Sequence, residues 1–555
     1  MEPVPTAVEI PGLGALQGWQ NPDGTKQFFG VPYARFSERF RPSKEVTSWH
    51  GGSYDARKLG QCAPQPQRPF YPFPMPERPH IGESHQGEFD CLNLQITLPA
   101  GTKPDDKLPV MIWFHGGGFV FGTANYSVLD GCGLANISSE IECPTIFVTV
   151  NYRLGFFGFL ASDDIKEDSG TYGGGNGNQA IGDQHNAIKW VVKNIGALGG
   201  NPEDITLFGQ SAGAISVDMH LRAPYRHLIK RGILMSGVVP ICGTYTEAEY
   251  HTLYLKLLRA CGIDVNLPGP ERLAALRAVP YEKLCTLTFE VMNNLNLPQF
   301  GPCSDGQVLG EAQVPHLADY VNDKLDWDGQ LMITDCEKEG IIYDHEFTMT
   351  PKELVSWIQE YLPGEIASET LDHYRISSGM SEKELYHACE AIVTDSVFCG
   401  PAYFMAKNHT DALVAHWDYR SPFDNAWGGY AHHSLDYLFS WQGLNGILKP
   451  HEIALGRATA EDYIRFASGK EPYPVTTVDG NGRSQRACRV YTAEAKAEVR
   501  GWNEYKGRPL GWFERIGPYL GGFDKLSFEI TMRRGKLVSL EDGVSAKETS
   551  QVTFL

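Results

Sequence analysis

The chain has 555 residues, of which 42% are hydrophobic and 21% are charged, so it carries enough apolar material for a large packed core and is not a disordered protein. Its formal net charge is −19, which argues against non-specific binding to nucleic acid or to anionic membranes, because both favour basic surfaces. The sequence holds no run of about 18 apolar residues and therefore predicts no membrane span.

The first residues and the cysteines bear on the cellular compartment. Residues 1–19 lack a basic region followed by a long apolar stretch, so they do not resemble a signal peptide and a cytoplasmic protein is expected; a trimmed N-terminus would leave secretion open. None of the twelve cysteines forms a C-x-x-C pair, which excludes zinc ribbons and thioredoxin-like sites. Most of them are expected to be reduced and buried.

Strand and helix patterns alternate through the first half of the chain. Residues 64–79 hold seven prolines and predict an extended surface loop, and residues 170–177 predict a glycine-rich loop before a helix over 179–195. Short apolar runs predict buried strands at 108–114, 144–150, 205–208 and 233–235. Residues 245–410 have a more helical pattern. The alternation predicts an α/β protein with a large, mostly parallel sheet.

The first motif that suggests chemistry is His-Gly-Gly-Gly-Phe at 115–119, directly after the strand at 108–114. Consecutive glycines allow a close backbone approach and let several N–H groups point the same way. Acyl transfer passes through a tetrahedral oxyanion that such N–H groups stabilise. The motif is typical of the oxyanion loop of esterases and lipases.

The second motif is Gly-Gln-Ser-Ala-Gly at 209–213, between the apolar run at 205–208 and a segment that can form a helix. Strand, G-x-S-x-G and helix in this order form a nucleophile elbow, which presents the serine on a sharp, strained turn above the sheet. Ser211 is therefore the candidate nucleophile.

A serine nucleophile needs a base, and the base needs an acid that orients it. His115 lies in the glycine loop and is a poor candidate for the base, whereas His432 and His433 follow a glycine-rich segment that can present an imidazole. The candidate acids follow a strand-like run and are Asp335, Glu337, Glu339 and Asp344. The residues alone do not choose among them.

Further short motifs are spread over nearly the whole chain; they lie at 27–34, 39–40, 90–94, 151–156, 183–184, 190–191, 199–202, 208–213, 394–395, 398 and 401. Together with the two glycine motifs they resemble the type-B carboxylesterase family, the cholinesterase-like branch of the α/β-hydrolases, and its fungal carboxylesterases in particular. The resemblance implies an α/β-hydrolase fold, in which helices flank a large, mostly parallel central sheet, as one domain over residues 1–555.

The resemblance also assigns roles to single residues. It places the nucleophile on Ser211 and the oxyanion donors on Gly117, Gly118 and Ala212. It places the acid on Glu339, through the stretch Glu-Lys-Glu-Gly at 337–340.

In the family, the histidine is followed at +3 by an acid and at +6 and +8 by aromatic residues. His433 matches without a gap, through Asp436, Phe439 and Trp441, and His432 does not. The resemblance therefore favours His433 as the base.

The chain departs from the family at several positions. Gln210 stands where the family usually has an acid that belongs to the cation site of cholinesterases, and no tryptophan lies between 49 and 113, so choline esters are not expected as substrates. Phe89 replaces the acid of the usual E-D-C motif, which leaves open whether the family's salt bridge to Arg39 is kept. Cys62 and Cys91 occupy the family's first disulfide positions, and their pairing is also open.

These observations predict a serine carboxylic ester hydrolase that acts on small, uncharged, lipophilic esters through an acyl-enzyme, with no cofactor, no metal and no nucleic-acid partner. Two alternatives within enzymes are acyl transfer or lactone closure or opening by the same triad, and a scavenger that binds esters but turns over slowly. An alternative from another class is a non-catalytic, cholinesterase-like binding protein. The sequence makes no prediction of the oligomeric state.

Overall fold

A computed structural model describes residues 2–67, 75–77, 81–170, 176–241, 244–293, 300–306, 317–343 and 349–532. Parts of the loops expected at 64–79 and 170–177 lie outside these ranges, as does the candidate acid Asp344.

The strands are β1 Val4–Ile10, β2 Gly14–Gln20, β3 Lys26–Pro32, β4 Ala34–Arg35, β5 Lys44–Glu45, β6 Ser53–Asp55, β7 Asn93–Leu98, β8 Leu108–Phe114, β9 Ile146–Val150, β10 Gly200–Gln210, β11 Arg231–Met235, β12 Gln330–Cys336, β13 Leu413–Trp417, β14 Thr476–Val478, β15 Ser484–Tyr491 and β16 Ala497–Gly501. The helices are α1 Cys132–Glu140, α2 Gly155–Phe159, α3 Asp163–Gly170, α4 Gln179–Asn194, α5 Ala212–Arg222, α6 Glu247–Cys261, α7 Gly269–Arg277, α8 Tyr281–Asn293, α9 Pro351–Tyr361, α10 Gly364–His373, α11 Glu382–Val393, α12 Gly400–Asn408, α13 Leu435–Ser440, α14 Pro450–Ala467, α15 Leu510–Ile516 and α16 Leu520–Met532.

One 14-stranded sheet forms the centre of the fold, with its main path in the order β1-β2-β3-β7-β9-β8-β10-β11-β12-β13-β15-β14. The stretch from β9 to β15 is parallel throughout, with Phe208 opposite Trp113 on one side and opposite Ile233 on the other. Along this main path the strands that extend the sheet at both edges pair antiparallel, whereas β6 pairs parallel with β2 off the path. The predicted α/β class with a large, mostly parallel sheet is confirmed.

Both faces of the parallel strands are covered. Alternate residues of a strand point to opposite faces. Accordingly, Val110, Ile112 and Phe114 of β8 pack into one hydrophobic cluster, and Met111 and Trp113 pack into another. All residues of β9, β11 and β13 are buried. This two-sided burial is why the strands appear in the sequence as nearly continuous apolar runs.

Three of the helices between residues 245 and 410 begin at capping boxes. Thr246, Thr350 and Ser381 each accept a hydrogen bond from a backbone N–H in the first turn of α6, α9 and α11, and a glutamate in that turn bonds back to the cap. The expectation of a helical pattern over this region is confirmed, with β12 as the strand within it.

A buried ion pair ties the N-terminal region to α7. The Arg39 guanidinium bonds both oxygens of Glu88, at 2.5 and 2.7 Å, and also donates to the carbonyl oxygens of Leu276 and Val279. Glu88 directly precedes Phe89, the residue that replaces the family's usual acid. The salt bridge to Arg39 is therefore kept, with its acidic partner shifted by one position along the chain.

Cys62 and Cys91 are buried free thiols and form no disulfide. The Cys91 thiol instead donates to the Glu88 carbonyl at 3.3 Å. Among the residues that the structure describes, no helix has both the length and the apolar character needed to cross a bilayer. The single domain over 1–555 and the cytoplasmic location stay predictions.

Candidate active site

Ser211 lies on the sharp turn between β10 and α5. Its backbone has φ 55° and ψ −125°, a strained conformation for a residue with a side chain. The Ser211 N–H donates to the carbonyl of Met235, the last residue of β11, at 2.9 Å. The turn is thus fixed by the sheet, and it places Ser211 at the carboxyl end of the parallel strands.

Two glycines allow this turn to lie against β8. A Cβ atom on Gly213 would lie 1.9 Å from the carbonyl oxygen of Phe114, and a Cβ on Gly209 would lie 2.5 Å from backbone atoms of Gly213. Real Cβ contacts are never that short, so the close approach of α5 to the end of β8 requires glycine at both positions.

The glycine loop after β8 lies beside the serine. Gly117 and Gly118 have φ values of 110° and 60°, which suit glycine, and a Cβ on Gly116 would lie 3.1 Å from the Ser211 Cβ. The Gly117 carbonyl accepts from the N–H groups of Val120 and Phe121, at 3.0 Å each, and these bonds close a tight turn.

His115 supports this loop and is buried. Its Nδ1–H donates to the Gly116 carbonyl at 2.8 Å, and Tyr152 stacks on its ring and donates to its carbonyl at 2.6 Å. Burial lowers the pKa of His115 to about 4, so the ring is neutral at pH 7. These contacts agree with the sequence interpretation of His115 as part of the loop.

The N–H groups of Gly117, Gly118 and Ala212 donate to no other group among the described residues. Ala212 is buried, and a buried N–H without an acceptor costs free energy unless a ligand or water supplies one. The Gly117 and Gly118 donors belong to the loop beside Ser211, and Ala212 follows the serine at the first position of α5. Three donors at such positions can stabilise an oxyanion on an atom bound to the Ser211 hydroxyl oxygen.

The structure brings His433 and Glu339 together. His433 Nδ1 contacts Glu339 Oε2, and both side chains are fully buried. The other carboxylate oxygen of Glu339 accepts from the Cys336 N–H at 2.6 Å, at the end of β12. The His433 N–H donates to the Lys338 carbonyl at 3.2 Å. The loops after β12 and β13 therefore hold the imidazole and the carboxylate in fixed positions.

The other candidates from the sequence lie elsewhere. His432 Nδ1 contacts the His433 carbonyl at 2.6 Å, its Nε2 has no partner among the described residues, and burial lowers its pKa to about 4. The Glu337 N–H donates to the Trp417 carbonyl, and Asp335 is paired with His416 and Arg508.

One contact was not predicted from the sequence. The side-chain amide of Gln210, the last residue of β10, lies 2.8 Å from His433 Nε2. In the sequence, Gln210 differs from the family pattern only in that it stands in place of an acid. Since the two residues are 223 positions apart, no local sequence pattern points to the contact.

The acid of the histidine motif, Asp436, does not contact His433. Its carboxylate accepts from the Thr334 hydroxyl at 3.0 Å and from the Tyr437 N–H at 2.8 Å. Burial, with the nearby charge of Glu339, raises the pKa of Asp436 to about 6. Asp436 therefore ties the start of α13 to β12.

Buried aromatic side chains pack close to the site. The Phe398 ring meets the His433 ring edge-on, with 5.4 Å between ring centroids. Phe119 and Phe121, next to the glycine loop, pack on Phe159 and on the half-buried Phe289. Within the described ranges, no three His, Cys, Asp or Glu side chains gather as a metal ion requires.

Known proteins resemble the chain over most of its length. The profile described as Carboxylesterase family matches residues 4–507. The chain is 26% identical over 483 residues to Lipase 3 of Yarrowia lipolytica, which covers 84% of this chain and 89% of that protein. It is 27% identical over 503 residues to the Inactive carboxylesterase-like protein VdtD of Byssochlamys spectabilis, with 84% of each chain covered. A solved PNB esterase superposes with a TM-score of 0.70 at 24% identity, over 90% of this chain and 98% of that one, and shows the same fold.

Proposed function

The chain belongs to the carboxylesterase family, and from that premise we propose that it hydrolyses uncharged, lipophilic carboxylic esters through an acyl-enzyme on Ser211. In this proposal His433 is the general base, Glu339 orients it, and the N–H groups of Gly117, Gly118 and Ala212 form the oxyanion hole.

The contact between His433 and Glu339 carries the proposal. Because Nδ1 of the imidazole faces a carboxylate, that nitrogen bears the proton and Nε2 bears the lone pair. Nε2 is also the nitrogen beside Gln210, the residue that precedes Ser211. An imidazole held by a carboxylate on one side, with its other nitrogen beside the residue that precedes a strained serine, is the arrangement that supports nucleophilic catalysis.

The steps follow from this arrangement. The Ser211 hydroxyl oxygen attacks the ester carbonyl carbon while His433 Nε2 takes the hydroxyl proton, and the three N–H groups stabilise the oxyanion. The imidazolium then gives its proton to the oxygen of the leaving alcohol, and the carbon–oxygen bond breaks. Water, deprotonated by His433 in the same way, releases the acid. Glu339 stabilises the imidazolium in both halves of the reaction.

The substrate class follows from the polarity of the site. The side chains next to His433 and the glycine loop are aromatic, as Phe398, Phe119 and Phe121 illustrate. The neutral amide of Gln210 stands where the family usually has an acid, so this position offers no negative charge to a cationic alcohol group. These features favour an uncharged acyl chain and an uncharged alcohol.

We test the proposal with p-nitrophenyl esters from acetate to decanoate. Ser211→Ala is expected to lower kcat by about 10⁴-fold or more, because no other group replaces the nucleophile. Ser139→Ala removes an exposed serine of α1 and is expected to leave the rates unchanged. The chain length with the highest kcat/KM measures the size of the acyl pocket.

Mass spectrometry of the protein after ester addition separates the alternatives. Acylation of Ser211 without turnover would replace hydrolysis by acyl transfer or a specialised biosynthetic step. If neither acylation nor turnover occurs, the catalytic proposal is wrong, and a binding protein without catalysis takes its place.

A further inference from the structure

The Gln210 side chain is held between the glycine loop and the imidazole. It is 3% exposed, and its amide nitrogen lies 2.8 Å from His433 Nε2. A Cβ on Gly116 would lie 2.7 Å from both the Gln210 carbonyl oxygen and its Oε1, so only a glycine loop leaves room for this side chain. The amide therefore lies next to the base nitrogen in this structure.

The direction of the hydrogen bond between Gln210 and His433 follows from the contact that His433 makes with Glu339 through its other ring nitrogen. In the neutral imidazole, whose Nδ1–H donates to Glu339, Nε2 has a lone pair and no proton. The Gln210 amide N–H therefore donates to Nε2. An imidazole nitrogen has a single in-plane lone pair, and the proposed reaction needs the same lone pair for the Ser211 hydroxyl proton.

We propose that Gln210 is a positioning residue that caps the base nitrogen of His433 in the free enzyme and uncaps it when an ester binds. This inference rests on the proposed function, since it assigns His433 the role of base. During the reaction the proton moves from the Ser211 oxygen to His433 Nε2 and then to the leaving oxygen, and Gln210 neither gains nor loses one.

The amide has a property at this position that a carboxylate lacks. Turned one way, its N–H donates to the neutral imidazole; turned by half a rotation, its Oε1 accepts from the Nε2–H of the imidazolium. An ionised carboxylate can only accept hydrogen bonds. It therefore stabilises the imidazolium and not the neutral imidazole. Gln210 therefore adds no negative charge that would favour the imidazolium, whereas a glutamate would add one.

Two substitutions separate the effect of the amide hydrogen-bond donor from the effect of a negative charge at position 210. Gln210→Met keeps the length of the side chain and removes the donor, and Gln210→Glu keeps the shape and adds a negative charge. The measurement is the rate constant for labelling of Ser211 by an uncharged alkyl fluorophosphonate between pH 5 and 9. Gln442→Met, at another buried glutamine that donates to the Phe439 carbonyl, is the matched control and is expected to label like the wild type.

We expect Gln210→Met to raise the labelling rate on its alkaline plateau by about 2- to 10-fold, because the hydrogen bond that competes with Ser211 is gone. We expect Gln210→Glu to move the pH of half-maximal labelling upward by about one unit, because the carboxylate favours the imidazolium. If circular dichroism shows that Gln210→Met does not fold, the test uses Gln210→Glu. The shift in its pH of half-maximal labelling then decides whether the proposal holds.

The outcomes distinguish this inference from the function on which it rests. If all of the proteins are labelled with the same plateau rate and the same pH of half-maximal rate, the cap is overturned. The esterase proposal then stays intact. A lower plateau in a folded Gln210→Met protein would also overturn the cap. Labelling of Gln210→Met but not of the wild type would support the cap in its strongest form, and no labelling of any variant would overturn both proposals.

Discussion

The carboxylate of Glu339 is shared by two donors, the Cys336 N–H and His433 Nδ1. A glutamine fits the same space, but it carries no charge to stabilise the imidazolium and can present an N–H to the ring, which favours the wrong tautomer. We expect Glu339→Gln to lower kcat for p-nitrophenyl butyrate by about 10⁴-fold with little change in KM. Glu337→Gln, two positions away and half-buried, serves as the control and should stay within about twofold of the wild type. A loss below about tenfold in Glu339→Gln would contradict the role of Glu339.

The elbow between β10 and α5 depends on how closely the helix approaches β8. Gly213→Ala places a Cβ 1.9 Å from the Phe114 carbonyl oxygen, so α5 must move and take the Ala212 N–H and Ser211 with it. We expect about 100-fold lower kcat/KM and about 1–3 kcal/mol lower stability, measured by ester hydrolysis and urea unfolding. Gly182 in α4 has open space around a built Cβ. Gly182→Ala should therefore keep full activity, and its free energy of unfolding should rise by up to about 1 kcal/mol. Equal behaviour of the two variants would show that the close approach to β8 is not needed.

The free energy of unfolding should change with pH because one buried carboxyl group titrates. Asp395 lies in the π-helix Thr394–Cys399, accepts from the Tyr374 hydroxyl at 3.0 Å, and has its pKa raised by burial to about 7. A raised pKa in the folded state stabilises the protein fully below the unfolded-state value of about 4, and that stabilisation is lost as pH rises to about 7. We expect the free energy of unfolding of Asp395→Asn, relative to that of the wild type, to rise by about 1–3 kcal/mol from pH 5 to pH 8. Urea unfolding at each pH measures it. Exposed Asp372→Asn should show no such change, and a gain that does not vary with pH would contradict the assignment.

Burial explains which parts of this fold the sequence predicts. The predicted strand at 108–114 agrees with β8 residue for residue, because burial on both faces leaves a continuous apolar run. Strand β1 is largely exposed, has no such run and was not predicted. The local motif assigns Ser211, whereas local patterns leave the acid and the base open and only the family's spacing assigns them. Glu339 and His433 are 94 residues apart, and Gln210 and His433 are 223 apart, so only the folded sheet brings them together.

The wide separation of these residues along the chain also sets when the site can exist. A ribosome adds about 5–20 residues per second, so the 223 positions from Gln210 to His433 take roughly 10–45 s to synthesise. During that interval the elbow serine is already present on the nascent polypeptide without its imidazole. Nascent chains that end before residue 433 are therefore expected to have no hydrolytic activity, even where the first strands of the sheet have already paired.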